Sequence, residues 1–369
     1  MIYLDNNAST YMDPAVKEFI STMLDRPLNP SSIHFHGRSA KSIMEEARKQ
    51  LANMLGICSR EYQVIFTSSG TEANNLIMSN FKNEEIFVSA IEHLSILDQQ
   101  KYSPNVNIIR VDNNGVVDIS HLEELLEGAT TKKKLVSVML ANNETGVIQP
   151  IKEVVRVARK YNALVHSDSA QAIGKIPTNI KEIGLDFASI SGHKFGAALG
   201  AGALITDIRY PVAPMILGGG QEKGARSGTE NVIAIGAFGV AAEMVKKDLE
   251  MRRAKMLELR SYLEEKITQG FPDIKIIAKN TDRLPNTTLM VIPDTEAQLM
   301  LIAFDLEGIS VSSGAACSSG KVASSHVLKA MGVDEKESKS AIRVSVSYDQ
   351  PKEDIEKFLE ILEKIRPKL

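Results

Sequence analysis

Phe187-Ala188-Ser189-Ile190-Ser191-Gly192-His193-Lys194 reads as a short buried strand, Phe187 to Ile190, whose carboxyl end turns through a glycine into a lysine. The same pattern recurs around it. From about Asp13 to about Lys246, β-branched runs alternate with amphipathic stretches, which predicts an α/β domain: a mostly parallel sheet covered by helices. Seven strands are expected, at Val64 to Thr67, Ile86 to Ser89, Ile108 to Val111, Leu135 to Leu140, Leu164 to Ser167, Phe187 to Ile190 and Gly202 to Ile205. Arg38 to Leu55 and Lys152 to Tyr161 carry apolar residues at helical spacing and read as covering helices. Beyond Lys246 a long charged helix leads to a smaller α/β region, with strands near Ile274, Thr288, Ile309 and Ile342 and helices from Glu296 to Leu306 and Glu353 to Ile365. The expected division is residues 13–246 as the large domain and 247–369 as the small one, joined by the N-terminal segment 1–12.

Length and charge bound the function. A chain of 369 residues is too long for one core. The 43 Lys and Arg against 46 Asp and Glu, without long single-sign blocks, give no electrostatic footprint for nucleic acid or an anionic membrane. The first residues lack a basic flank and apolar stretch, and no segment approaches the roughly 20 apolar residues of a membrane span, so a cytoplasmic protein is expected. Only two cysteines occur, Cys58 and Cys317, without clustered histidines, which argues against a disulfide scaffold or a metal site. Cys58 beside Ile57 reads as structural. Cys317 differs: Ser312-Ser313-Gly314-Ala315-Ala316-Cys317-Ser318-Ser319-Gly320 has no large side chain to bury it and reads as a mobile loop, around 312–325, carrying one sulfur nucleophile.

Ligands in open α/β sheets lie beyond the carboxyl ends of the strands, so the strand ends carry the functional reading. Lys194 stands where a lysine can form an imine with pyridoxal phosphate, with Ser191 and His193 as donors to its phosphate. A lysine in a turn is most often only solvated. Asp168, ending the strand Leu164 to Ser167, can hold the pyridine nitrogen protonated, or can be a helix N-cap. Gln171 and Asn143 are candidates to reach the ring's phenolate oxygen. Gly70 and Thr71, where a strand passes into a helix, offer unpaired backbone N–H groups to an anion, although Glu72 would also suit a plain helix start. His93 follows another strand and can stack on the ring and exchange protons.

Together these residues resemble the cysteine desulfurases of the NifS and IscS type, which are fold type I pyridoxal-phosphate enzymes. The resemblance runs through Tyr3 to Thr10, Asn29-Pro30-Ser31-Ser32, Ser69-Gly70-Thr71-Glu72, Glu92-His93, Asn142 to Gly146, Asp168 with Gln171, Ser191 to Lys194, Arg226 to Thr229 and Ser312 to Ser319. It implies a homodimer in which Lys194 holds the cofactor, Asp168 pairs with the ring nitrogen and His93 stacks on it. It further implies that Thr71, Ser191 and His193 bind the phosphate, with Thr229 reaching the phosphate of the other subunit, and that Arg343 takes the carboxylate of L-cysteine. Cys317 would then accept sulfur as a persulfide while alanine leaves, and pass it to an acceptor such as an iron-sulfur scaffold. An unperturbed thiol of pKa about 8.5 is mostly protonated at pH 7, so His93 or the substrate complex is expected to help form the thiolate. Two alternatives stand beside this: a pyridoxal-phosphate C–S or C–Se lyase giving pyruvate and ammonia, and a non-catalytic partner of the same fold. The chain departs from the family after the lysine, reading Gly196-Ala197-Ala198-Leu199-Gly200 where Gly-Pro-Lys-Gly is usual, and it lacks a longer C-terminal tail.

Overall fold

The computed structural model describes residues 1–313 and 324–366. Among the described residues the strands are β1 Ile2–Tyr3, β2 Tyr62–Thr67, β3 Glu85–Ser89, β4 Val106–Ile109, β5 Lys134–Ser137, β6 Leu164–Asp168, β7 Phe187–Ser191, β8 Gly202–Asp207, β9 Lys275–Ile276, β10 Thr287–Val291, β11 Ile309–Ser310 and β12 Ala341–Ser345. Seven of them form one sheet in the order β2-β8-β7-β6-β5-β3-β4. All neighbours from β7 to β4 are parallel, while β8 runs antiparallel to both β2 and β7. Parallel strands need helical crossovers, and these cover both faces, so β6, β7 and β8 are buried almost throughout.

The seven expected strands all occur, with ends that differ from expectation by up to three residues. The strand expected to run to Leu140 ends at Ser137. Beyond it Val138 and Leu140 still donate to β6 carbonyls, but the N–H of Met139 turns to the Glu92 carboxyl at 2.7 Å instead of to β3. The strand expected at Ile108 to Val111 lies at Val106–Ile109, because Val111 instead bridges Val117 across the Asp112–Gly115 turn.

The helix Phe35–Leu55 starts on His34, whose side chain accepts the Gly37 N–H, and stops at Gly56, where a left-handed φ of 67° suits a residue without Cβ. The helix Val232–Gly270 is 39 residues long and begins on the Asn231 cap, well before the long helix expected after Lys246. The Lys246–Lys247 division therefore falls inside a continuous helix. Its first part, through Val245, packs in the apolar cluster that covers one face of the large sheet. From Met256 to Ile267 it packs in a second cluster with the antiparallel sheet β12-β10-β9 and the helices Ala297–Leu306 and Lys352–Ile365. Each fully buried Leu, Ile or Phe there contributes about 1.5–3 kcal/mol. The N-terminal segment ties the two regions together: β1 pairs parallel with β11, and Leu4 joins the second cluster.

Candidate active site

The carboxyl ends of β2, β6 and β7 open onto a cavity of about 560 Å³, which Leu301, Val311, Ser312 and Ser313 also line. Ser69 caps the helix Gly70–Asn80 by accepting the Glu72 N–H at 3.1 Å, which leaves the amides of Gly70 and Thr71 facing the cavity. Glu72 folds back onto Ser68 and pairs with Arg226 at 2.9 Å, serving the helix start rather than the cavity. Gly70 lies against Ser191: a Cβ there would stand 3.2 Å from that of Ser191 and crowd the cradle. A second glycine, which sequence reading passed over, sets the helix in place. A Cβ on Gly202 of β8 would sit 2.4 Å from the Ser69 carbonyl carbon and 2.8 Å from the Gly70 nitrogen. Gly202→Ala is thus expected to push the helix start off the sheet, destabilising the fold by about 1–3 kcal/mol and weakening phosphate binding. Urea unfolding and pyridoxal-phosphate titration check both effects.

Lys194 ends the short turn after β7 and lines the cavity with Ser191 and His193. Its ammonium donates to the backbone carbonyls of Asn7 and Ala8 at 2.7 and 2.9 Å, with no carboxylate in contact among the described residues. Burial first, then Arg343, pushes its pKa down to about 8, with Asp168 and Asp5 opposing. Burial and the Lys194 charge push His193 down to about 4, so its ring is neutral at pH 7. Asp168 is buried at the end of β6. One oxygen accepts the Ala170 N–H at 3.0 Å and the other the Asn74 side chain at 2.7 Å. The Asp168–Ala170 bond is a local turn contact, so both readings of this aspartate have a geometric basis.

His93 lines the mouth of the same cavity. Enclosure by protein lowers its pKa, with Asp168 opposing and Lys194 and His326 adding to the shift. Asn143 and Gln171 also line it, but Gln171 is already engaged: it donates to the Asn7 carbonyl at 3.0 Å and accepts from buried Lys175 at 2.6 Å. Arg343 donates to Asp5 at 2.6 Å and to the Asn143 carbonyl at 2.9 Å, while its Nε is buried without a partner among the described residues. Arg343 also lines the cavity, where a planar guanidinium suits a ligand carboxylate. Thr229 is exposed and does not line this cavity. Cys317 lies outside the described residues, as does most of the expected 312–325 loop. Cys58 is exposed rather than packed, and its thiol donates to Glu61 at 3.4 Å.

Three residues that sequence reading left without a role organise the site. Asn7 joins the chain's distant parts: its side chain donates to Thr287 and Asn143 and accepts from Lys175 and Asn286, and its carbonyl takes Lys194 and Gln171. Lys175 is fully enclosed, and burial with the Lys194 and Arg343 charges drives its pKa well below the ordinary lysine value. The one sequence signal was its position four residues after Gln171, on the same face of a helical turn. Glu92, buried beside His93, accepts from Ser89 at 2.5 Å and Met139 at 2.7 Å, and burial lifts its carboxyl to about 8. A folded-state value above the unfolded one means stability present at acid pH is lost as pH rises toward 8. Glu92→Gln should therefore gain stability relative to the native protein between pH 4.5 and 8, on the order of a few kcal/mol at the upper end. Denaturant midpoints across that range measure it.

The donor set fits pyridoxal phosphate: a helix N-terminus with adjoining hydroxyl for the phosphate, a buried carboxylate for the ring nitrogen, and a lysine of lowered pKa for the aldehyde. Among the described residues no group of three or more His, Cys, Asp or Glu is arranged to hold a metal ion, and no helix is long and apolar enough to cross a membrane.

Residues 2–358 match the family described as aminotransferase class-V. The chain is 36% identical over 379 residues to the cysteine desulfurase IscS of Dictyoglomus turgidum, covering all of this chain and 95% of that one. It is 37% identical over 381 residues to a cysteine desulfurase of Nostoc, covering all of this chain and 94% of the relative. Among solved structures, a NifS-like protein from Rickettsia africae superposes with a TM-score of 0.95 at 51% identity, covering 100% of this chain and 99% of the other.

Proposed function

Because this chain belongs to the class-V aminotransferase family and is a cysteine desulfurase of the fold type I architecture, we propose that the cavity under Arg343 and Lys194 is where L-cysteine gives up its sulfur. The observation that carries this is the convergence of Lys194, Asp168, His93 and Arg343 with the helix start at Gly70 on one cavity. In this reading Lys194 holds pyridoxal phosphate, Gly70, Thr71, Ser191 and His193 bind its phosphate, Asp168 keeps a proton on its ring nitrogen, and Asn143 and Gln171 face its phenolate oxygen. Bound there, the cofactor supplies an electron sink for negative charge at the substrate α-carbon.

The residues of the chain do the rest. The Arg343 guanidinium, which lines the cavity, takes the substrate carboxylate and orients the α-carbon. Lys194, with a pKa near 8, exchanges a proton at Nζ close to working pH. The Cys317 thiolate attacks the substrate sulfur: an S–S bond forms, the substrate C–S bond breaks with its electron pair going to carbon, and protonation of that carbon yields alanine. A related solved structure, described as SspA in complex with cysteine, has a TM-score of 0.81 at 27% identity and supports the choice of substrate.

The protein acts as a homodimer in this reading. Thr229, exposed and away from its own cavity, is then free to reach the partner's phosphate, and the exposed Ile33, Phe35 and Leu217 supply apolar surface for the contact. A cytoplasmic location and a protein acceptor for the sulfur, such as an iron-sulfur scaffold, complete the proposal. The test is to add pyridoxal phosphate and then L-cysteine to the purified protein. A near-visible absorbance that changes with cysteine, and alanine with sulfide as products, are expected. Pyruvate and ammonia would instead establish an eliminating lyase.

A further inference from the structure

At the cavity wall a chain of hydrogen bonds connects Asp168 to His93 through the side chains of Asn74, which also lines the cavity, and Ser95. Asn74, buried in the second turn of the helix Gly70–Asn80, donates from its amide nitrogen to Asp168 Oδ2 at 2.7 Å and to Ser95 Oγ at 2.9 Å. The amide cannot be turned the other way, because its oxygen would then face a carboxylate oxygen at 2.7 Å. Ser95 Oγ, holding a hydrogen bond from Asn74, has its own proton to give, and His93 Nδ1 lies 2.8 Å away. The backbone N–H of Ser95 points at the same Nδ1 from 3.1 Å, since His93 is itself the cap of the short helix Leu94–Leu97. Two donors aimed at one ring nitrogen require a lone pair there.

We propose that Asn74 and Ser95 are positioning residues that hold the neutral His93 ring with its proton on Nε2, so that the imidazole offers the cavity a hydrogen-bond donor and not a base. The proton count follows from the geometry. A ring protonated at Nε2 cannot take a second proton there. It can be protonated only at Nδ1, and that requires Ser95 to rotate its hydroxyl away and its backbone N–H to lose a partner. The charged and titratable groups facing His93, namely Asp168, Lys194 and His326, change the ease of that protonation but not the nitrogen at which it occurs. His93 therefore does not form the Cys317 thiolate by accepting a proton at Nε2, and the substrate complex is left with that task. The tautomer is a property of the protein alone, while its catalytic meaning rests on the function proposed above.

Protein labelled with ¹⁵N-histidine, ligand-free and loaded with pyridoxal phosphate, is the material for the test. Of its seven histidines, His93 is assigned by the signal lost in His93→Gln. At neutral pH an unprotonated Nδ1 and a protonated Nε2 are expected for His93. A protonated Nδ1 would overturn the proposal. Ser95→Ala removes one of the two donors and should raise the His93 titration midpoint by about half to one pH unit, with a mixture of tautomers, whereas Ser95→Thr should restore the native signature. Asn74→Leu should shift the midpoint in the same direction if it folds. A Ser95→Ala protein whose tautomer and midpoint match the native ones would exclude a positioning role. Failure to bind pyridoxal phosphate with the Nε2–H signature intact would refute the functional reading and leave this inference standing.

Discussion

Lys194→Ala is expected to abolish the near-visible absorbance of the protein mixed with pyridoxal phosphate and to lower sulfide production from L-cysteine by about 10³-fold or more. The reasoning starts from the lysine's surroundings. Its ammonium is held by two backbone carbonyls and, among the described residues, no carboxylate, so the charged form is poorly stabilised and the amine is available near pH 8. In the proposed mechanism, removing it takes away both the attachment point for an aldehyde and the group that would exchange a proton at the substrate α-carbon. Loss of a positioned acid or base alone typically costs 10²–10⁴-fold. Because a buried ammonium held only by carbonyls is costly, while its removal leaves those two carbonyls without that donor, the alanine variant should fold about as stably as the ligand-free native protein. Absorbance spectra, sulfide release and urea midpoints on the same preparation separate a chemical defect from an unfolded protein. A variant that kept both absorbance and turnover would remove Lys194 from the mechanism.

Cys317→Ala is expected to behave differently. Every described residue that would hold the cofactor lies elsewhere, so absorbance and its response to L-cysteine should persist. Sulfide and alanine production should fall by about 10³-fold, because the thiol proposed to receive the sulfur would be gone. Cys58 cannot substitute: it is exposed, bonded to Glu61, and absent from the cavity lining. A variant that instead turned over to pyruvate and ammonia would point to elimination as the chain's intrinsic chemistry.

What was legible in the sequence follows from which interactions are local. The buried strands announce themselves because parallel strands covered on both faces read as continuous apolar runs, and their ends, at Asp168, Ser191 and His93, could be named for that reason. The antiparallel sense of β8 left no such mark, since its run from Gly202 looks like any buried strand. The long helix starts at Val232, earlier than its charged part suggests, because its first turns are apolar all round and read as core. The site residues that escaped notice act across long separations. Asn7 meets Lys175 and Asn286 from 168 and 279 residues away, and Asn74 meets Asp168 from 94. Nothing in the local spelling of an asparagine distinguishes such a hub from a turn residue. Arg343 was placed by resemblance alone, and its pairing with Asp5 became visible only when β12 and the N-terminal segment came together.

Persulfide formation at Cys317 is tested most directly by giving the pyridoxal-phosphate-loaded protein L-cysteine without reductant, then identifying the modified peptide by mass spectrometry and the released amino acid by chromatography. One sulfur atom added at Cys317, matched by an equal amount of alanine, is the predicted result. An unmodified Cys317 while pyruvate and ammonia accumulate would contradict it.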